Sequence, residues 1–292
     1  MEIKKAERKQ VKLRIALIGS SGSGKTYSAL RLTKGMGGKT CLIDTEFHRS
    51  EYYADKFDFD VLHLTKPFSP ERYIEAINTA VSGGYDNIII DSASHEWIGE
   101  GGCLDSNSKL SLITKNSYTA WAKTTPRHEA FLNALIYANS HLIICLRGKD
   151  EYVLEQNEKG KQAPRKVGVG AQMRDGLEYE CTISLMIDQE THLTSVLKDN
   201  TLLFDGRNDM LTEEHGKSLI AWATSGKIEN IKQPSQKEVF IIAYDKVKSG
   251  KYREQAIKIV DDWLTKESKD LETITEVDAA KLIEIFKNTK WG

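Results

Sequence analysis

The stretch GSSGSGKT at residues 19–26 holds the residue types and spacing that grip an anion. Gly19 closes an apolar run, and Gly22 and Gly24 let the backbone curl so that successive N–H groups point at one charge. Lys25 adds a mobile cation for the outer phosphates of a nucleotide, and the Thr26 hydroxyl can take a place on Mg2+. Ser20, Ser21, Ser23 and Tyr27 complete the expected contact set. A loop of this kind needs a strand before it and a helix after it. Both are legible, as the β-branched run 13–18 and as residues 27–34 with Ala29, Leu30 and Leu32 on one face. A Ser/Gly turn that merely happens to carry a lysine would need neither. The implied ligands are ATP and Mg2+.

Holding phosphates is not hydrolysing them, which requires a carboxylate that orients and polarises a water. Asp91 ends the apolar run NIIID and is placed beside the loop, where it can accept a hydrogen bond from a metal-bound water. Ser92 follows it, so no glutamate stands directly after this aspartate. Two other candidates remain, Glu46 at the end of TCLIDTE and Glu96 a turn beyond Asp91. Glu46 also reads as a solvated loop acid.

TCLIDTEFHRS followed by IIIDS resembles the corresponding segments of RecA-like recombinase ATPases. The resemblance implies Glu46 as the water-activating residue and Asp91 as the carboxylate on the Mg2+ side. The chain looks more closely like phage-encoded RecA-like ATPases, some of which act in single-strand annealing. The matching marks are GSSGSGKT, IIIDSASHEW, Trp121 in YTAWAKTTPRHEAF, LIICLRGKDEYV and QMRDGLEYECTISLMID, together spanning roughly residues 13–210. The resemblance implies DNA recombination, single-stranded DNA as a partner, self-assembly into an oligomer, and a single-strand-binding protein as a further partner. A recombinase DNA loop is not recognisable, and the C-terminal helices match no family pattern.

Arg147 and Lys149 stand at the end of LIICLRGK, where a group sensing the outer phosphate is expected; they also read as surface cations. The segment after them carries Lys159, Lys161, Arg165, Lys166 and Arg174 among glycines. Its placement resembles the mobile DNA loop of RecA-like proteins, and its composition suits a flexible loop tracking a phosphate backbone. An ordinary solvated hairpin has the same composition. Lys161, Arg165 and Lys166 are the candidate DNA contacts. Arg174 is a candidate arginine finger acting in trans, with an intramolecular salt bridge as the alternative.

The elements that must position these residues alternate. Short apolar runs at 40–46, 61–64, 87–92, 141–147 and 181–188 are separated by helical patterns, one capped by Ser69 and Pro70 and stopped at Gly83, another opening at Thr125 and Pro126. This predicts an α/β fold, a RecA-like P-loop NTPase core with a mostly parallel sheet, over residues 1–227. Segments 192–199 and 200–206 read as a closing hairpin, and 99–117 as a long polar loop. A helix runs from the cap Thr212, a linker follows, and residues 236–292 read as a small domain of three short helices.

Composition supports a globular chain. Of 292 residues, 40% are hydrophobic and 28% charged, with a net charge of −1, so any nucleic-acid surface must be local. Cys41, Cys103, Cys145 and Cys181 form no Cys-x-x-Cys pair and read as reduced core residues. A cytoplasmic protein without membrane contact is expected. The alternative function is an ATP-dependent remodelling or assembly factor acting on a protein partner without DNA. A small-molecule kinase is disfavoured because no lid-like arginine cluster follows the phosphate loop.

Overall fold

Alternate residues of each apolar run feed two different cores, which is what strands covered on both faces require. The computed structural model describes residues 3–156, 162–174, 176–227, 237, 240–241, 243–245, 252–271 and 273–289. Strands β1 (Arg14–Gly19), β2 (Thr40–Asp44), β3 (Asp60–His63), β4 (Asn87–Asp91), β5 (His141–Gln156), β6 (Gln162–Ala171), β7 (Ile183–Ile187) and β8 (Thr194–Asp199) form one sheet. Its order is β3-β2-β4-β5-β1-β7-β8, with β6 paired to β5. All neighbours from β3 to β7 are parallel, and β6 and β8 are antiparallel additions.

Ile88 and Ile90 pack on one face with α2 (Pro70–Ser82) and α5 (Ser117–Tyr137). Ile89 points the other way, into a core built with α1 (Lys25–Met36) and α7 (Glu213–Thr224). The remaining helices of this unit are α3 (Ser94–Ile98), α4 (Cys103–Thr114) and the single turn α6 (Leu177–Glu180). The register is what positions the site. Gly19 pairs with Arg147, and Asp91 with both Cys145 and Asp44, so the chemically active residues gather at the carboxyl ends of the parallel strands.

Four sequence expectations are corrected. The helix expected to open at Thr125 begins at Ser117, because the Asn116 side chain accepts the N–H groups of Tyr118 and Thr119. Pro126 therefore lies inside α5, where it removes one i to i−4 bond, and burial of Phe131 and Leu135 outweighs that loss. The long loop expected at 99–117 contains α4. Its glycines serve only the entry turn, where Gly101 has φ 81° and donates to the Asp105 carboxylate at 2.7 Å. The hairpin expected between 192–199 and 200–206 forms instead between β7 and β8. Residues after Asp199 cannot continue a ladder, because its carboxylate takes the N–H groups of Thr201 and Phe204 at 2.7 and 2.8 Å. Finally, the basic segment after Arg147 is not a loop throughout: β5 continues to Gln156 and returns as β6.

Helices α1 and α7 cross at a pair of glycines. A Cβ on Gly35 would lie 2.7 Å from the Glu213 carbonyl carbon, and one on Gly216 would lie 2.9 Å from Gly35 Cα. Gly35→Ala gains about 1 kcal/mol of helix propensity. It nevertheless forces apart two backbones that no side-chain rotation can relieve, and overpacking of this kind costs about 1–3 kcal/mol. A net loss of stability in urea unfolding is the expected result, and a gain would show that the crossing can relax.

The chain divides into two compact units, Met1–Ile228 and Glu229–Gly292. In the second, α8 (Arg253–Glu267) and α9 (Glu276–Asn288) bury Val260, Leu264, Leu282 and Phe286 around Phe240 and Tyr244. Thr275 and Asp278 cap α9 reciprocally. The first of the three helices expected here lies mostly outside the described residues. All four cysteines are buried, and none forms a disulfide. Among the described residues no helix is long and apolar enough to cross a membrane.

Candidate active site

The loop between β1 and α1 has the geometry its sequence implies. Gly22 and Gly24 adopt φ of 84° and 91°, the left-handed region that a Cβ disfavours. A Cβ on Gly19 would stand 2.7 Å from the Ile187 carbonyl oxygen, so the close approach of β7 also demands glycine. Lys25 begins α1, and its Nζ donates to the carbonyls of Gly19 and Ser20 at 2.9 and 2.8 Å. The Thr26 hydroxyl donates to the Asp91 carboxylate. Burial pushes the Asp91 carboxyl up to about 6; the Thr26 bond and the Lys25 charge pull it down, while Glu46 and Asp44 push it up.

A cavity of about 220 Å³ opens before the loop, lined among others by Lys25, Thr26, Glu46, Arg49, Asp91 and Arg147. Glu46 follows β2 by two residues and is fixed by a residue that sequence reasoning missed. Asp44 is buried, and one oxygen accepts the Glu46 N–H at 2.6 Å while the other accepts the N–H and hydroxyl of Ser50. The signal was present, since Asp44 ends an apolar run as Asp91 does. Arg147 grips Glu46 Oε1 through Nη2 at 2.7 Å and Nε at 3.1 Å, and its own N–H donates to Ser94 Oγ at 2.9 Å. Burial would raise the Glu46 carboxyl, but the Arg147 hydrogen bond and charge, with His95 and Lys25 behind them, leave it below the usual carboxylate range. His95 is buried against Phe68 and bonds Thr45 Oγ1 at 2.8 Å.

A second cavity of about 350 Å³ shares Gly22, Gly24 and Tyr53 with the first and is walled by Tyr27, Arg31, His192, Met210 and Leu211. The rings of Tyr27 and Tyr53 meet edge to face at 5.5 Å. The β7–β8 turn clasps the phosphate loop. Gln189 donates to the Ser21 carbonyl and accepts from the Ser20 hydroxyl, both at 3.0 Å, and His192 Nδ1 lies 3.0 Å from the Ser23 carbonyl. No spacing rule in the sequence points to these residues, which are about 170 positions from the loop they hold.

Other candidates lie elsewhere. Glu96 is fully buried away from the cavity, bonded to His128 Nδ1 at 3.0 Å and to the Cys103 thiol at 3.0 Å. Arg174 is exposed and donates to Thr125 Oγ1 at 3.3 Å. Lys149 is exposed just beyond Arg147. Arg165 and Lys166 lie on β6 opposite Val153 and Tyr152, while Lys159 and Lys161 lie outside the described residues.

The donor set fits a nucleoside triphosphate with its divalent ion. It combines a backbone curl built on two left-handed glycines, an ammonium, and a hydroxyl already turned to a carboxylate. The family model AAA_24, described as an AAA domain, matches residues 11–221, from the approach to β1 into α7. Comparison with curated proteins gives no match. On its sheet, its phosphate loop and that match over most of its length, the chain belongs to the AAA domain family AAA_24, a P-loop ATPase domain.

Proposed function

We propose that the chain hydrolyses ATP to ADP and phosphate, with Glu46 activating the water. The observation that carries this is the convergence of Lys25, Thr26, Asp91, Glu46 and Arg147 on one cavity from four neighbouring strands, β1, β4, β2 and β5. Lys25 exchanges the Gly19 and Ser20 carbonyls for outer phosphate oxygens. Thr26 and Asp91 would hold Mg2+, which would neutralise phosphate charge. Paired to Arg147, Glu46 is a weak proton acceptor. Release of Arg147 toward phosphate frees Oε1 to orient and deprotonate water. The second cavity, with aromatic walls and one guanidinium, suits the base and ribose. Phosphate release from ATP, with no phosphorylated acceptor formed, tests the reaction class.

The finer reading is a RecA-like protein of phage DNA recombination or single-strand annealing, working as a homo-oligomer on single-stranded DNA, with Arg174 reaching a neighbour's nucleotide. A single-strand-binding protein is the further partner. In support, β5 is continuous from the sheet core through Arg147 into the hairpin that carries Arg165 and Lys166, so strain on the hairpin reaches the residue that holds Glu46. Neutralising Lys161, Arg165 and Lys166 is expected to weaken single-strand affinity equally for all sequences. The dependence of log affinity on log salt should become shallower by about 0.7 per lost phosphate contact. ATP binding should persist. Unchanged affinity and slope in a filter-binding titration would move any DNA contact elsewhere, first to the basic N-terminal stretch. Absence of DNA stimulation of the ATPase would favour the alternative, remodelling of a protein partner.

A further inference from the structure

Beyond the nucleotide cavity, the turn that carries Glu46 holds a second cluster of ligating groups. Glu51 Oε1 receives His48 Nδ1 at 2.9 Å and His63 Nε2 at 2.8 Å, and the two imidazoles lie 3.9 Å apart, centroid to centroid. One ligand atom from each residue lies within 4.8 Å of the others, and all three side chains reach solvent. We propose that His48, Glu51 and His63 bind one divalent transition ion of the Zn2+ class.

Three observations carry this. Two ligand atoms each about 2.1 Å from one ion lie about 3.0 Å apart at right angles and about 3.4 Å apart at the tetrahedral angle, so the N···O separations of 2.9 and 2.8 Å need only open by a few tenths of an ångström to admit it. The set of two imidazoles and one carboxylate, all solvent-exposed, suits such ions and not Mg2+ or Ca2+, which take oxygen ligands. The backbone is bent to present the first ligand: Phe47 and His48 have φ of 56° and 64°, a region unfavourable for residues with a Cβ.

The ligands come from two places. His48 and Glu51 lie on the turn after β2 and its 3-10 helix (Arg49–Tyr53), while His63 ends β3, whose register pairs it with Asp44. A bound ion therefore ties β3 to the turn bearing Glu46 and Arg49. It is a clamp on the proposed catalytic turn from outside the nucleotide cavity.

The test uses the full, tag-free, nucleotide-free chain with Mg2+ in excess to occupy the Thr26–Asp91 site. Titration with Co2+, followed by its visible absorption, and with Zn2+, followed by calorimetry, should show one site per chain in the micromolar range. His63→Ala and Glu51→Gln should each weaken binding by more than about tenfold, with unchanged far-UV circular dichroism. Metal binding is read without ATP, so the result stands or falls separately from the ATPase assignment. No Co2+ spectrum at millimolar ion, or the same affinity in both variants as in the parent chain, overturns the proposal.

Discussion

Lys25→Ala is expected to lower ATP turnover by about 10²–10³ or more, the loss seen when one preorganised donor to developing charge is removed. The side chain is 8% exposed and its Nζ rests on the Gly19 and Ser20 carbonyls, inside the curl that receives the phosphates. Alanine at the first turn of α1 is a good helix former, so the loop and helix persist while the cation is lost. The measurement is phosphate release together with binding of a fluorescent nucleotide. Parent-level turnover in a folded Lys25→Ala protein would remove the loop from the mechanism.

Glu46→Gln should retain ATP binding and lose hydrolysis by about 10²–10⁴, because an amide keeps the shape and can no longer take a proton. The comparison with Glu96→Gln makes the prediction sharp. Glu96 does not line the cavity, and the substitution disturbs a buried hydrogen-bond network with His128 and the Cys103 thiol. Leaving a buried polar group without its partner costs about 1–3 kcal/mol, so Glu96→Gln should lower stability with turnover per folded molecule nearly intact. Single-turnover kinetics and urea unfolding on both variants separate the two losses. The reverse pattern, hydrolysis lost in Glu96→Gln and kept in Glu46→Gln, would transfer the catalytic role.

These two glutamates also mark where sequence reading ends. Both follow strand aspartates on short polar stretches, and chain position alone leaves either able to face phosphate. The Asp44 carboxylate, by taking the Glu46 N–H, turns that side chain toward the cavity, while helices α3, α4 and α5 close around Glu96. Which happens depends on partners that are distant in the chain, Arg147 in one case and His128 in the other.

The phosphate loop, the parallel sheet and the two-sided covering were legible from residue order because their causes are local. Glycine tolerates a left-handed turn wherever it stands, and alternation with a period of two assigns Ile88, Ile89 and Ile90 to opposite faces without knowledge of what covers them. The start of α5 was missed because a single side chain, Asn116, outweighs the signal of a proline nine residues inside the helix. The clasp of Gln189 and His192 on the phosphate loop, the Arg147–Glu46 pair and the triad His48, Glu51 and His63 were decided by the fold alone. Each joins residues brought together by strand order and register, and hydrogen-bond geometry over a few ångströms leaves no periodic trace in a linear chain.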